Sequence, residues 1–318
     1  MKIFLVKGKK QDSLCFIASH LAFDGMALKR YVYLIAGLYN RSLGFTSGKE
    51  TLFGKYNFDR SFYPVFHSLS ILRRFLILMP IKKNKKQNII LPFSQSDNKS
   101  PFFVTESIPS RYFLSIKNKA KAIHVTINDL IMTSYAFALS AYSKQNNISF
   151  SCPVSLLKKL PSYPNPAFSN LTSVFYFQEN IDGASSFSDI LKNVHRYFER
   201  QKGSTECYKG PFLLSEIFRF LPSSFAFHLV SKIASPPIVS YTNLGILEKD
   251  RMRFGTVRPV DAFVVTAVKK EPSFQLSVST FSDTIHLTSA FFGAEEDREL
   301  IKKILAETAE VITDWADS

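Results

Sequence analysis

The chain is poor in cysteine and tryptophan, with three Cys and one Trp in 318 residues. Cys15, Cys152 and Cys207 stand far apart and in no metal-ligand spacing. An odd, scattered set fits a reducing compartment better than a disulfide scaffold, so these side chains read as small apolar groups. No apolar run reaches the length of about 18 residues that a spanning helix needs. The most apolar region, 62–81, is broken by Arg73 and Arg74; surface attachment stays open. The opening MKIFLVKGKKQD offers only Ile3 to Val6 before Lys7, too short for a signal-peptide core, and a cytoplasmic location is expected. Phosphate-cradling glycine loops, dinucleotide fingerprints, zinc-ligand clusters and internal repeats are all missing, which takes nucleotide and metal hydrolysis out of the front rank. Acidic residues are scarce too: 26 Asp and Glu face 40 Lys and Arg, a formal net charge of +14.

What is present is material for a core. Apolar residues make up 46% of the chain and charged ones 21%, with 31 Phe read as mostly core, and this composition excludes wholesale disorder. A length near two units of roughly 150 residues predicts two domains or two tightly packed lobes, with one large α/β domain as the alternative. The positive balance suits an anionic partner: nucleic acid, a phospholipid surface, an acidic carrier protein or a phosphorylated cofactor. Nucleic acid has the charge alone behind it, since no helix-turn-helix, basic-aromatic stripe or zinc module accompanies it, and none is expected to bind.

Periodicity predicts strands at Ile3 to Val6 and, buried, at Leu14 to Ala18, then a helix from Met26 to Tyr39. Residues 41–110 read as a less regular crossover. Within it, Ser70 to Lys86 is either a basic amphipathic membrane patch or a solvated helix. A helix-like segment starts at Arg111. Thr126 with Asp129 three residues later is a capping-box signature for a helix to about Tyr142. A buried strand is predicted at Ile148 to Val154 and another strand at Thr172 to Gln178, separated by an irregular loop with prolines 161, 164 and 166. Helices follow at Phe187 to Arg200 and at Pro211 to Ala234, the latter broken near Pro222. Strands at Ile238 to Thr242, Ala262 to Val268, Phe274 to Thr280 and Thr284 to Leu287 precede a last helix from Ala294 to about Trp315.

One string carries chemistry: Ser19-His20-Leu21-Ala22-Phe23-Asp24-Gly25, an H-x-x-x-D-G pattern between a strand and an amphipathic helix. A histidine at the end of a strand reaches into a cleft with an imidazole suited to act as general base for an alcohol, amine or thiol. Asp24 is placed to hold the turn, and Gly25 permits the tight approach to the helix. A plain structural reading is equally coherent: Asp24 as an ordinary N-cap, Gly25 as a turn glycine, His20 as a satisfied loop histidine. His67, His124, His195, His228 and His286 fall on apparent helices, caps or an alternating strand, where structural roles are expected.

The rest of the chain resembles the chloramphenicol-acetyltransferase-like superfamily, which includes nonribosomal-peptide condensation domains and alcohol acetyltransferase-like proteins. The likeness rests, in the family's order, on SHLAFDG at 19–25, HVTINDLIMTSYAFALSAY at 124–142, SFSCPVSLLKKLPSYPNPAFSNLTS at 149–173, PPIVSYTNLGIL at 236–247 and FQLSVSTFSDTIHL at 274–287. It implies an α/β (α+β) two-layer sandwich fold with two lobes in a V around a central tunnel. The lobes are expected at 1–110, holding the H-x-x-x-D-G motif and the crossover, and at 111–318.

By resemblance, His20 matches the general base that lets an acceptor attack an acyl thioester, and Asp24 and Gly25 match structural positions of that motif. Ser240 matches the hydroxyl offered to the tetrahedral oxyanion. Thr242, Asn243 and Gly245 match an S-N-x-G stretch that lines the substrate tunnel. The family implies no permanently bound cofactor and no metal. Acyl-CoA or a phosphopantetheinyl thioester serves as co-substrate, with a small-molecule acceptor and, in the condensation branch, an acyl carrier protein as partners. A catalytically inactive scaffold is the non-enzymatic alternative.

Three departures qualify the match. Ser19 precedes His20 where condensation domains carry a second histidine, which favours the acetyltransferase branch. Leu157 stands where relatives carry an arginine expected to pair with the motif aspartate, and Lys158 or Lys159 is no equivalent of a guanidinium. The motif lies close to Met1, so the family's opening strand, helix and acyl-binding segment are expected to be missing, leaving the N-terminal lobe incomplete, with a separate chain or second subunit to complete it.

Overall fold

The computed structural model describes residues 1–20, 22–45, 70–78, 89–143, 145–156, 170, 172–204, 206–233 and 238–318. The chain's own contacts divide it into two units. Met1–Leu69, Ser155–Thr172 and Glu248–Asp261 form the first, and Ser70–Val154, Ser173–Leu247 and Ala262–Ser318 the second. Residues 70–110, expected with the first lobe, cluster with the second unit.

In the first unit, β1 (Lys2–Val6) and β2 (Ser13–Ile17) pair antiparallel, with Lys2 opposite Ile17 and Val6 opposite Ser13. A Lys7–Asp12 ion pair of 2.6 Å closes the turn. Both strands were expected, but the buried reading of Leu14 to Ala18 is corrected: Leu14 and Ile17 are exposed, as are Ile3 to Val6. The physical reason is that, among the described residues, these two strands pair only with each other in a two-stranded sheet. Cys15 is exposed with them, whereas Cys152 and Cys207 are buried.

Helix α1 (Gly25–Ser42) buries Ala27, Val32, Tyr33, Ala36 and Gly37, the inward stripe of an amphipathic helix. It packs on a 3₁₀ turn, Lys249–Met252. There the Glu248 amide donates to the Tyr33 hydroxyl at 2.8 Å, and the Arg251 guanidinium lies 4.4 Å over the Tyr33 ring. Asn40 ties the next loop down, donating to the Arg253 carbonyl at 2.8 Å and accepting from the Gly255 amide at 2.6 Å.

The second unit is built on a seven-stranded mixed sheet. Its strands are β3 (Ser100–Ile108), β4 (Asn147–Ser155), β5 (Thr172–Asn180), β6 (Val239–Leu247), β7 (Lys269–Lys270), β8 (Phe274–Phe281) and β9 (Thr284–Gly293). The order is β3-β9-β8-β6-β4-β5, with β7 beside β9. β8 and β9 form an antiparallel hairpin, and β6 runs parallel to both β8 and β4. Two differences from the sequence reading stand out. The crossover region ends in β3, which pairs along its whole length with β9. The strand expected at Ala262 to Val268 is not one: the main chain of Val264 instead bonds the hydroxyls of Ser277, Ser279 and Thr288, which displaces a strand ladder there.

The helices are α2 (Ile71–Leu78), α3 (Ser110–Ala122), α4 (Ile127–Tyr142), α5 (Phe187–Gly203), α6 (Glu206–Phe220), α7 (Ser223–Ile233) and α8 (Glu295–Asp317). α8 packs on β3 and β9 and against α3 and α4, while α4 also meets α5. The capping box of α4 is present as expected: the Asp129 amide donates to Thr126 Oγ1 at 3.1 Å, and the Thr126 amide to Asp129 Oδ2 at 2.9 Å. The break near Pro222 separates α6 from α7. Tyr135, fully buried on α4, joins Phe150, Tyr241 and Phe274 in an aromatic core. No single helix among the described residues is long and apolar enough to cross a membrane.

Candidate active site

β2 delivers the chain to His20, which sits exposed in the turn before α1. The loop is held from a distance of 150 residues: the Asn170 side-chain amide donates to the His20 carbonyl at 2.8 Å, and the same nitrogen stands 3.5 Å from His20 Nδ1. The first is a normal hydrogen bond. The second is too long to fix the ring by itself.

Asp24 is buried as the N-cap of α1, its Oδ1 accepting from the Ala27 amide at 2.7 Å. That bond satisfies one of the four amides a helix start leaves open, and the carboxylate sits at the positive end of the helix dipole. Its Oδ2 faces the Thr172 hydroxyl at 3.5 Å. Gly25 is the first helical residue, with φ outside the left-handed region.

Arg30, further along α1, feels Asp24 electrostatically. Burial lowers the affinity of its guanidinium for the proton, Asp24 opposes that shift, and Arg251 adds to it. Arg30 Nη1 is buried and makes no hydrogen bond among the described residues. Leu157, Lys158 and Lys159, where a partner for the motif aspartate was sought, lie outside the described residues, as do His67 and the prolines at 161, 164 and 166.

The other expected residues lie together on β6, in the second unit. Ser240 Oγ donates weakly to the Phe274 carbonyl at 3.4 Å, and its own carbonyl accepts from the Tyr135 hydroxyl at 3.5 Å. Past Thr242 the ladder with β8 shifts register between Asn243 and Ile246. Gly245 sits at that shift with φ +68°, a backbone that only glycine adopts without strain. Asn243 shapes the shift: its Oδ1 accepts from the Gly245 amide at 2.8 Å, and its Nδ2 donates to Asn128 Oδ1 at 2.9 Å.

The Tyr241 hydroxyl donates to the same Asn128 oxygen at 2.9 Å. Burial pushes the Tyr241 hydroxyl far above its ordinary titration range, so it is a permanent donor. Asn128, at the start of α4, thereby clamps the strand that carries Ser240 to Gly245.

Asn128, Tyr241 and Asn170 were not singled out from the sequence. Asn128 stands inside the capping string Thr126-Ile127-Asn128-Asp129, which was a signal for a helix start and not for a clamp. Among the other histidines, His195 Nδ1 pairs with the buried Asp129 carboxylate at 2.8 Å, and the buried His286 bonds Ser107 at 3.0 Å. Both are structural partnerships, as expected. No group of three or more His, Cys, Asp or Glu side chains converges on a metal-sized space among the described residues.

No protein-family model matches the sequence, and no curated protein matches it at a significant level. Solved structures do. The chain is similar to polyketide synthase associated protein 5 from Mycobacterium tuberculosis, at 11% identity and a TM-score of 0.62, over 98% of this chain and 77% of that one. It is similar to the epimerization domain from the third module of tyrocidine synthetase B, at 12% identity and a TM-score of 0.58, over 99% and 72%. A trichothecene 15-O-acetyltransferase from Fusarium sporotrichioides matches at 12% identity and a TM-score of 0.58, over 92% of this chain and 64% of that one. The chain therefore shares its fold with these structures, an epimerization domain and an acetyltransferase among them.

Proposed function

We propose that the protein is an acyltransferase that moves an acyl group from a thioester, acyl-CoA in the first instance, to a hydroxyl or amine acceptor, with His20 as general base. The observation that carries the reading is the arrangement of the H-x-x-x-D-G string. His20 is open to solvent, its main chain is tied by Asn170, and the following helix is pinned by a buried Asp24. An exposed imidazole on a fixed loop is what proton abstraction from a diffusible acceptor requires. The fold supports the same reading.

In the proposed reaction a ring nitrogen of His20 takes the acceptor's proton as its oxygen or nitrogen attacks the thioester carbonyl. A tetrahedral oxyanion forms and then collapses with cleavage of the carbon–sulfur bond. The imidazolium returns its proton to the departing thiolate, which leaves His20 ready for another turnover. We assign Ser240 the role of oxyanion donor, worth about 3 kcal/mol for one such group. Its hydroxyl makes only a long bond to Phe274, which costs little to exchange. Asn243, Thr242 and Gly245 are assigned to substrate contact.

A thiol-release assay with acetyl and longer acyl-CoA donors and a panel of alcohols and amines tests this. Turnover is expected, and His20→Ala should remove it while the melting temperature stays in place; retained turnover in the variant would sink the mechanism. A second donor, an acyl group on a phosphopantetheinyl carrier protein, is favoured by the net charge of +14, which suits an acidic partner. Competition between carrier-bound and CoA-bound donors separates the two.

A further inference from the structure

The first unit opens on a ribbon whose outer main chain is unpaired. β1 and β2 pair with each other and, among the described residues, with no further strand, so each keeps one open edge. A lone two-stranded ribbon is at best marginally stable in water. Cross-strand partners share a face, which puts Ile3 and Leu5 of β1 on one side and Phe4 and Val6 on the other. Phe16 of β2 ties the ribbon to the rest of the unit, its ring stacked on Phe254 with centroids 6.4 Å apart. Ile3, Phe4, Leu5, Val6, Leu14 and Ile17 all remain between 42% and 58% exposed.

Charge is placed at the two ends of the β1 edge. Lys2 opens the strand and Lys7, Lys9 and Lys10 follow it, while Ile3–Val6 between them carries none. Asp12 is the one acid among residues 1–20, and it is already taken: it accepts from Lys7 Nζ at 2.6 Å and from the Gly8 amide at 3.3 Å. Lys2, Lys9 and Lys10 are exposed and have no ion pair among the described residues. Lysines protect an edge where they stand within it, and the middle of this one is left without them.

That pattern discriminates between occupants. A second copy pairing antiparallel along β1 sets lysines against lysines at both ends, and like charges brought together this way oppose association. A lipid surface takes up the apolar side chains but leaves the amides and carbonyls of the edge unpaired, at several kcal/mol each. An extended polypeptide pairs the main chain and covers the side chains together.

We propose that the open edge of β1 takes up an extended segment of another protein by strand addition, a segment apolar at its centre with Asp or Glu at both ends. The main chain of Ile3–Val6 supplies the hydrogen bonds, and Lys2 at one end with Lys9 and Lys10 at the other selects the acidic flanks. The inference is independent of the role given to His20.

Two end-capped synthetic peptides, DDVTVYVDD and its basic counterpart KKVTVYVKK, test it on the full chain. By fluorescence anisotropy the acidic peptide should bind roughly tenfold or more tightly than the basic one, and salt should weaken it. Amide hydrogen exchange over Ile3–Val6 should slow in the complex, which contact with side chains alone does not produce. The surface variant K2E/K9E/K10E should reverse the preference, with its far-ultraviolet circular dichroism unchanged; should it misfold, the salt dependence and the exchange of the wild-type protein decide. Wild-type protein that binds neither peptide or both equally overturns the proposal, as does a folded variant with the original preference, or binding that leaves the Ile3–Val6 amides unprotected. A dimer in light scattering that protects those amides without peptide would assign the edge to a second copy, and protection by phosphatidylglycerol vesicles in place of the peptide would assign the ribbon to a membrane; either result overturns it as well.

Discussion

The side-chain amide of Asn170 holds the main-chain carbonyl of His20 at 2.8 Å while standing 3.5 Å from its ring nitrogen Nδ1. One group therefore sets both where the loop lies and what the imidazole has beside it. The Thr172 hydroxyl, two residues on, faces Asp24 at 3.5 Å, so the same short segment touches both ends of the H-x-x-x-D-G string.

Asn170→Ala should lower kcat by about tenfold through a misplaced base, since small errors of position are costly in proton transfer. An unchanged kcat in this variant would show that Asn170 has no hold on the base.

The clamp on β6 predicts non-additive energetics. Asn128→Ala leaves the Tyr241 hydroxyl buried without its acceptor and takes one acceptor from Asn243 Nδ2, and a loss of about 1–3 kcal/mol is expected by urea unfolding. Tyr241→Phe alone removes the donor and should cost about 1 kcal/mol. Combined with Asn128→Ala it should add little, because the penalty for the orphaned hydroxyl is then gone. Strict additivity in this cycle would show that the three side chains do not act as one network.

How far the sequence could be read depended on whether a signal was local. Thr126 and Asp129 announce α4 because both halves of the capping box lie within one turn, and Pro222 ends α6 because a proline supplies no amide donor. β3 is hard to see because its string SPFFVTESI follows a polar loop and sets exposed Phe103 between the apolar Phe102 and Val104, so neither period is clean. Ala262 to Val268 alternates like a strand, yet hydroxyls of Ser277, Ser279 and Thr288 take the main-chain bonds of Val264 at its centre, a tertiary effect that no window shows. The motif around His20 was legible from its spacing, and Asp24 proves to be the N-cap that its type and place suggested. Asn170 was not legible: its meaning comes from a contact with a residue 150 positions earlier.

Lys269 offers a test of burial without function. It lies half-buried on β7 opposite Phe291, and removal from water alone lowers its ammonium below the ordinary value of 10.5. The folded state thus holds this proton less tightly than the unfolded chain does. Unfolding takes up protons in the window between the depressed folded value and 10.5, and stability rises with pH there. Below that window the lysine is charged in both states and the folded protein carries the full cost of desolvating it. Lys269→Met keeps the stem and removes the charge, so it should stabilise the protein at neutral pH by about 1 kcal/mol or less, partial exposure limiting the gain. The advantage should shrink as pH climbs through the window and vanish once the lysine is neutral in both states. Thermal melts of the two proteins across that range check this; an advantage that grows with pH, or a variant less stable at neutral pH, would mean that the ammonium has a partner whose attraction outweighs its burial.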